Sequence, residues 1–206
     1  YLIQRLIEEV TGVPLNEFLE EYLFTPLGLK YISYLPKNNF PLKQIAPTEV
    51  DNVFRKGVIQ GNVHDEIASI FGGVAGHAGL FSNAYSLAVI MQMNLQNGYY
   101  GGNQYIHPKT LSDFTKRQYT FNRRGLGWDK PQVIGHEYNP ASFHASMKSY
   151  GHSGFTGTYV WVDPGFDLVY IFLSNRTYPD VGNKKLIDSE VRKRIQTVIY
   201  SSLINN

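Results

Sequence analysis

Hydrophobic side chains recur every three or four positions at the start of the chain. Leu2, Ile3, Leu6, Ile7 and Val10 share one helical face, and Gly12 stands where that helix would stop. Pro14 suits the first turn of a second helix carrying Leu15, Phe18, Leu19, Tyr22 and Leu23, with Leu27-Gly28 ending it. Residues 30–70 lose all periodicity and hold prolines at 36, 41 and 47. They read as one long irregular stretch, the kind that forms a functional loop or a cleft wall. Residues 72–81 form a glycine-rich turn. Ser82 or Asn83 then caps a helix bearing Leu87, Ile90, Met91 and Leu95, closed by Asn97-Gly98. Residues 108–116 predict a short helix and 126–128 a short strand. Residues 158–163 and 168–174 alternate or run apolar around Pro164-Gly165, which predicts a hairpin. Val191, Ile195, Val198 and Ile199 mark a last helix over 189–203. Helices, then strands, then a helix make the fold class α+β, an antiparallel sheet covered by the terminal helix. Residues 1–120 form a mainly helical lobe and 121–206 the sheet hairpin and last helix, within one domain.

Composition narrows the function. The 206 residues are 43% hydrophobic and 17% charged, so the chain is globular. A net charge of +2 without a basic stripe argues against nucleic acid as a partner. No apolar run reaches membrane-spanning length. The absence of cysteine removes disulfides and thiolate metal sites. The chain opens on Tyr1, inside an amphipathic pattern and without a signal peptide, so its natural start is expected to lie elsewhere.

The densest candidate chemistry is Tyr150-Gly151-His152-Ser153-Gly154-Phe155-Thr156-Gly157-Thr158, running straight into Tyr159-Val160-Trp161-Val162-Asp163. Glycines let a backbone approach a bound molecule, and His152 and Ser153 add a titratable group and a hydroxyl. This is how a substrate-lining strand looks; a glycine-rich strand start with a surface histidine is the plainer alternative. Gly151-His152-Ser153-Gly154 matches the G-x-S-x-G nucleophile elbow only in part: Phe155 stands where a small residue is needed, and a strand follows instead of a helix. His64-Asp65-Glu66 with His77 fits no metal-ligand spacing and reads as loop bracing. Residues 72–79 lack the lysine of a phosphate loop. The fifteen tyrosines and twelve phenylalanines belong mostly to core or cleft wall.

Taken together, three segments resemble those of the serine β-lactamases, penicillin-binding peptidases and their esterase-like relatives. Gly79-Leu80-Phe81-Ser82-Asn83-Ala84-Tyr85-Ser86-Leu87-Ala88 is similar to the family's glycine-rich turn and capped helix. Gly125-Leu126-Gly127-Trp128 is similar to its short strand before the binding edge. His152-Ser153-Gly154 stands where the family carries its K-T-G box, ahead of the same hairpin and of Leu173-Ser174-Asn175-Arg176. Residues 2–28 resemble the helices that follow the family's Y-x-N motif. The His-Ser-Gly variant, with the run over 63–82, is similar to β-lactamase-like modules fused to glycoside hydrolases in some gut bacteria.

The resemblance implies acyl transfer on ester, amide or β-lactam substrates at the serine of S-x-x-K, activated by its lysine and by the second motif. No serine of this chain has lysine three positions later, so both motifs would lie before Tyr1 and the chain alone would be inactive. What it would supply is the third box: the Phe155 backbone N–H as one oxyanion donor, Ser153 as a polar partner, and Gly154 and Tyr150 beside the substrate. His152 replaces the box lysine, and a histidine is a weaker cation than lysine near neutrality. Binding of an anionic substrate should then be weaker or pH-gated. Asp180 and Asn183 fall where class C enzymes place Asn and Arg, and Asp180 would repel a substrate carboxylate, which favours esters or amides over β-lactams. The implied partners are a small-molecule or peptidoglycan-like acyl substrate, the missing N-terminal segment of the same domain and a possible fused glycoside hydrolase. No cofactor or metal is implied, and the implied compartment is periplasmic or extracellular. Two rivals stand beside this reading: a non-catalytic module of the same fold, and an independent hydrolase using Ser153 with His77 or His136 as base.

Overall fold

The structure is a computed structural model and describes residues 1–132 and 138–205. His136 lies outside the described residues. The chain forms two compact units, Tyr1–Ser86 with Asn175–Asn183, and Leu87–Ser174 with Lys184–Asn206.

In the first unit, α1 (Leu2–Thr11) ends at Gly12, whose φ of 70° and N–H bond to the Glu8 carbonyl close the last turn. A left-handed residue at this place is the ordinary glycine stop. Pro14 lies just outside α2 (Leu15–Leu19), which runs on as a single π turn over Glu20–Phe24. Residues 30–70 are more regular than their sequence suggests. They hold β1 (Ile32–Tyr34), which pairs antiparallel with β4 (Leu80–Ser82), and the hairpin β2 (Pro47–Asp51) with β3 (Gly57–Gln60), followed by α3 (Glu66–Ile70). Strands of three to five residues, whose buried positions do not alternate, leave too little periodicity to read from sequence. Arg55 locks the hairpin: it pairs with Glu49 and with Asp51 (3.1 Å), and donates to the carbonyls of Val63 (2.7 Å) and His64 (3.1 Å). His64 Nε2 lies 3.2 Å from Glu49, and Asp65 caps α3 by accepting from Ala68 N–H at 2.7 Å. Residues 175–183 are stitched to β2 by Asn175 donating to the Pro47 carbonyl, Thr177 Oγ1 to that of Thr48 and Val50 N–H to that of Pro179.

The second unit is a helix–sheet–helix sandwich. Its sheet is β7 (Tyr150–Ser153), β8 (Tyr159–Asp163) and β9 (Leu168–Phe172), antiparallel in the order β7-β8-β9. β8 is central and apolar on both faces, because both are covered. Tyr159 and Trp161 pack with Tyr170 and with Tyr200 of α7 (Val191–Ile204). Val162 and Tyr150 pack on the other face with Met91 of α4 (Ala84–Leu95). Asn83 caps α4, accepting from Ser86 N–H at 2.8 Å. α5 (Pro108–Thr115) follows the small hairpin of β5 (Tyr99–Tyr100) and β6 (Asn103–Gln104); α6 (Lys185–Asp188) precedes α7. Residues 126–128 are not a strand. Gly125 N–H bonds the Trp128 carbonyl at 3.0 Å in a tight turn, and only Asp129 bridges to β7. Gly127, with φ 74°, fits the turn and not a strand.

Candidate active site

The box lies on β7, and the sequence around it explains the strand's shape. Gly151 has no room for a side chain: a Cβ there would sit 2.1 Å from the Val160 carbonyl oxygen and 2.2 Å from Trp161 Cε3. Its N–H and carbonyl exchange bonds with Asp129 at 3.0 and 2.8 Å, so β7 is held on both sides at this residue. Past Ser153 the chain turns at once. Gly154 N–H bonds the Thr158 carbonyl at 2.8 Å, and Gly157 N–H bonds the Gly154 carbonyl at 3.0 Å. Phe155 and Thr156 form the tip of that turn, and the Phe155 ring is exposed. Gly154 is also tight, since a Cβ would meet Thr158 Oγ1 at 2.2 Å.

Successive residues of β7 point to opposite faces. Tyr150 and His152 share the α4 face, while Gly151 and Ser153 lie across from Trp161 and Tyr159. Tyr150 is core: 3% exposed, edge-on to Trp128 with centroids 5.2 Å apart, its hydroxyl pKa pushed up by burial. It supports the strand from beneath. His152, Ser153 and Gly154 are exposed.

His152 Nδ1 is 2.9 Å from the Ser153 backbone oxygen and Nε2 is 3.4 Å from Arg124 Nη1. A carbonyl only accepts, so Nδ1 carries the hydrogen and the Nε2 lone pair faces the guanidinium. Among the described residues no base lies within hydrogen-bond reach of Ser153 Oγ, because the adjacent imidazole is turned to the backbone and to Arg124. His77, the other considered base, belongs to the first unit, 3.6 Å from Asp65 and edge-on to the Tyr1 ring. Asp180 is also in the first unit, where its carboxylate accepts from Gly182 N–H at 2.8 Å.

Sequence reasoning missed the charged surround of the box. Asp129 is clasped by Arg123 through Nε to Oδ1 (2.6 Å) and Nη2 to Oδ2 (3.2 Å), and Arg124 Nη1 stands 3.5 Å from the same Oδ2. Lys130, 5% exposed, donates from Nζ to the carbonyls of Lys148 (3.3 Å) and Ser149 (3.0 Å), fixing the lead-in to β7. Burial, with Arg117 nearby, brings its pKa down to about 8. The signal available was the pair Arg123-Arg124 directly before the glycine turn. A cleft of about 890 Å³ in the first unit, bordered by Glu20, Phe24, Tyr34 and Asn39, contains none of the box residues. Among the described residues no group of three or more His, Asp or Glu is placed to hold a metal ion, and no helix is long and apolar enough to cross a membrane.

Comparison with known proteins agrees with this arrangement. The β-lactamase family model matches residues 1–191. A Salmonella heidelberg protein with the provisional name D-alanyl-D-alanine carboxypeptidase is 38% identical over 195 residues, covering 88% of this chain and 44% of the relative. The chain therefore spans less than half the length of the curated relatives it matches. Among solved structures, a Mycobacterium bovis β-lactamase superposes with a TM-score of 0.63 at 17% identity, over 97% of this chain and 60% of that one. The simvastatin synthase of Aspergillus terreus gives 0.66 at 17% identity, over 97% and 53%. A penicillin-binding protein homologue from Caulobacter crescentus gives 0.59 at 19%, over 85% and 50%. With the His-Ser-Gly box on a sheet strand before a tight turn, and a family match over nearly its whole length, this chain belongs to the β-lactamase family of serine hydrolases.

Proposed function

We propose that this chain carries the substrate-edge half of a serine acyl hydrolase acting on D-alanyl-D-alanine-type peptides, and that the nucleophile is contributed by sequence outside it. The 38% identity to a protein named for that carboxypeptidase activity is the observation that carries the reading. In such a reaction a serine hydroxyl attacks the scissile carbonyl, an acyl-enzyme forms as the terminal amino acid leaves, and water releases the acyl group. The part assigned to this chain is positional. β7 lines the substrate, the turn after Ser153 offers backbone to the developing oxyanion, and the charged surround holds the leaving residue. Ser153 is read as a polar contact rather than the nucleophile, since no base reaches it among the described residues.

The test is a fluorophosphonate serine probe with peptide mapping, beside a D-alanine release assay. The expected result is no labelling and no turnover by this polypeptide, with labelling of an S-x-x-K serine in a longer protein that carries it. Stoichiometric labelling at Ser153 with turnover would instead establish an independent hydrolase. A longer protein that bears no such serine would be a non-catalytic module of the same fold. Action outside the cytoplasmic membrane is part of the same proposal, and follows from the peptidoglycan-like substrate.

A further inference from the structure

We propose that the cleft of the first unit binds a small organic cation, a primary ammonium carried on a short apolar stem. This goes beyond the hydrolase reading: every residue lining the cleft falls within 16–40, inside the first unit, and none belongs to the box. The space of about 890 Å³ is of the size that holds a small molecule.

One wall repeats every four residues, at 16–17, 20–21, 24–25 and 28. An α-helix turns once in about 3.6 residues, so a row spaced by four drifts roughly 40° around the axis at each turn. The chain counters that drift. α2 gives way to the π turn over Glu20–Phe24, closed by Thr25 N–H on the Glu20 carbonyl at 3.0 Å. A π turn takes more residues than an α turn, which brings the row back toward the cleft, and single π turns recur at functional sites. The facing wall is β1 with residues 35–40. It is held by Asn39 Nδ2 donating to Ser33 Oγ at 2.9 Å, and by Phe40 stacked on Tyr31 with centroids 5.8 Å apart.

The lining selects the ligand. Phe24, Leu29 and Ile32 are buried and border the space, so part of its surface is apolar. Beside them stand three carboxylates, Glu17, Glu20 and Glu21. Glu20 accepts from Thr25 Oγ1 at 3.0 Å, whereas the side chains of Glu17 and Glu21 have no partner among the described residues. Lys30 is the one cation in the lining, and among the described residues it forms no ion pair with them. Three carboxylates against one ammonium leave a negative cleft with an apolar surface. An ammonium answers the charge through charge-assisted hydrogen bonds, and a short apolar stem answers the surface. The same lining repels an anion, and a neutral molecule of the same shape forgoes the charged bonds.

The experiment titrates hexylamine, 1-hexanol and hexanoate separately into the chain by calorimetry at low salt, while methyl NMR of Leu29 and Ile32 reports where each binds. The amine is expected to bind at least about 10-fold more tightly than the alcohol, as one charge-assisted contact implies, and hexanoate more weakly than either. Raising the salt to roughly 0.5 M should weaken the amine and not the alcohol. The double variant Glu17→Gln, Glu21→Gln should bring the amine down to the level of the alcohol. Glu66→Gln, on α3 and outside the lining, should leave the preference intact, with circular dichroism confirming the fold of each variant. No binding of the amine, equal binding of amine and alcohol, an unchanged preference in the double variant, or methyl shifts that avoid Leu29 and Ile32 would each overturn the assignment. The preference should also appear in a longer protein that carries this chain. Its loss there would mean that other sequence fills the cleft, and would overturn the assignment as well. The fluorophosphonate probe decides the hydrolase reading separately, and neither of its results bears on the cleft.

Discussion

Asp163 is the keystone of the unit that carries the box, and removing it should cost about 3–5 kcal/mol. The residue ends β8 and is fully buried. Its carboxylate accepts from Ser146 N–H (2.8 Å), Ser146 Oγ–H (2.5 Å), Gly165 N–H (2.8 Å) and Tyr200 O–H (2.6 Å). It therefore joins the loop before β7, the β8–β9 turn and helix α7. Asp163→Ala deletes the acceptor and leaves two backbone N–H groups, the Ser146 hydroxyl and the Tyr200 phenol without it. Each abandoned donor is worth about 1–3 kcal/mol, and the sum is less than additive because the groups share one site. Against a typical total of about 5–15 kcal/mol, such a loss brings the unit close to unfolding. Tyr200→Phe removes only one of the four donors and keeps the ring against Phe166, so about 1 kcal/mol is expected. Urea unfolding followed by tryptophan fluorescence reads this unit alone, because the only two tryptophans, Trp128 and Trp161, both lie in it. A loss below about 1 kcal/mol for Asp163→Ala would refute the keystone role, since an acceptor that four donors do not need is not holding three segments together.

Other consequences are testable with the same material. Gly151→Ala forces a Cβ against the Val160 carbonyl and the Trp161 ring, and should destabilise by at least about 2–3 kcal/mol in the same urea assay. Lys130 has a folded pKa of about 8, below its ordinary 10.5, so the unfolded chain holds the extra proton between those values and stability should rise with pH across that window, by up to about 3 kcal/mol. The tyrosines oppose it above pH 10: Tyr170 is pushed up to about 12, and Tyr150, Tyr159 and Tyr200 are raised further by burial, so the folded state keeps protons the unfolded state loses. Urea midpoints for the parent and Lys130→Met at pH 7.5, 9.5 and 11 should show a rise and then a fall in the parent, and no rise in the variant. Leu2, Ile3, Leu6 and Val10 leave an exposed apolar stripe on α1, which should bind a hydrophobic dye or drive self-association; a dye-negative monomer by light scattering would contradict this.

How much of this was legible beforehand depended on the length of each signal. The terminal helix, the β8–β9 hairpin and the capped helix α4 each spread their pattern over ten or more residues, and each stands in the structure close to where the periodicity put it. The stretch over 30–70 was opaque because its strands are three to five residues long and its order comes from Arg55 and its acidic partners, a network that leaves no period. The segment 126–128 reads as a strand in the sequence because Leu126 and Trp128 alternate with glycines. The alternation reflects a turn that needs a positive φ at Gly127, not a pleat.

The box itself shows why a motif is an incomplete account of a site. Read along the chain, His152 in place of lysine weakens the edge as an anion receptor. Read in space, the lone pair of that histidine is turned toward Arg124, 28 positions earlier, whose charge does not depend on pH near neutrality. Lysine at 152 would put a second fixed cation within reach of that guanidinium, and Asp129, already occupied by Arg123, could not neutralise both. With the imidazole turned to the Ser153 carbonyl and to Arg124, the fixed positive charge at this edge lies in the loop beside the strand and not on the strand itself. The substitution in the box and the arginine outside it are thus one electrostatic arrangement, divided between a strand and a turn that the Asp129–Gly151 bridge holds together.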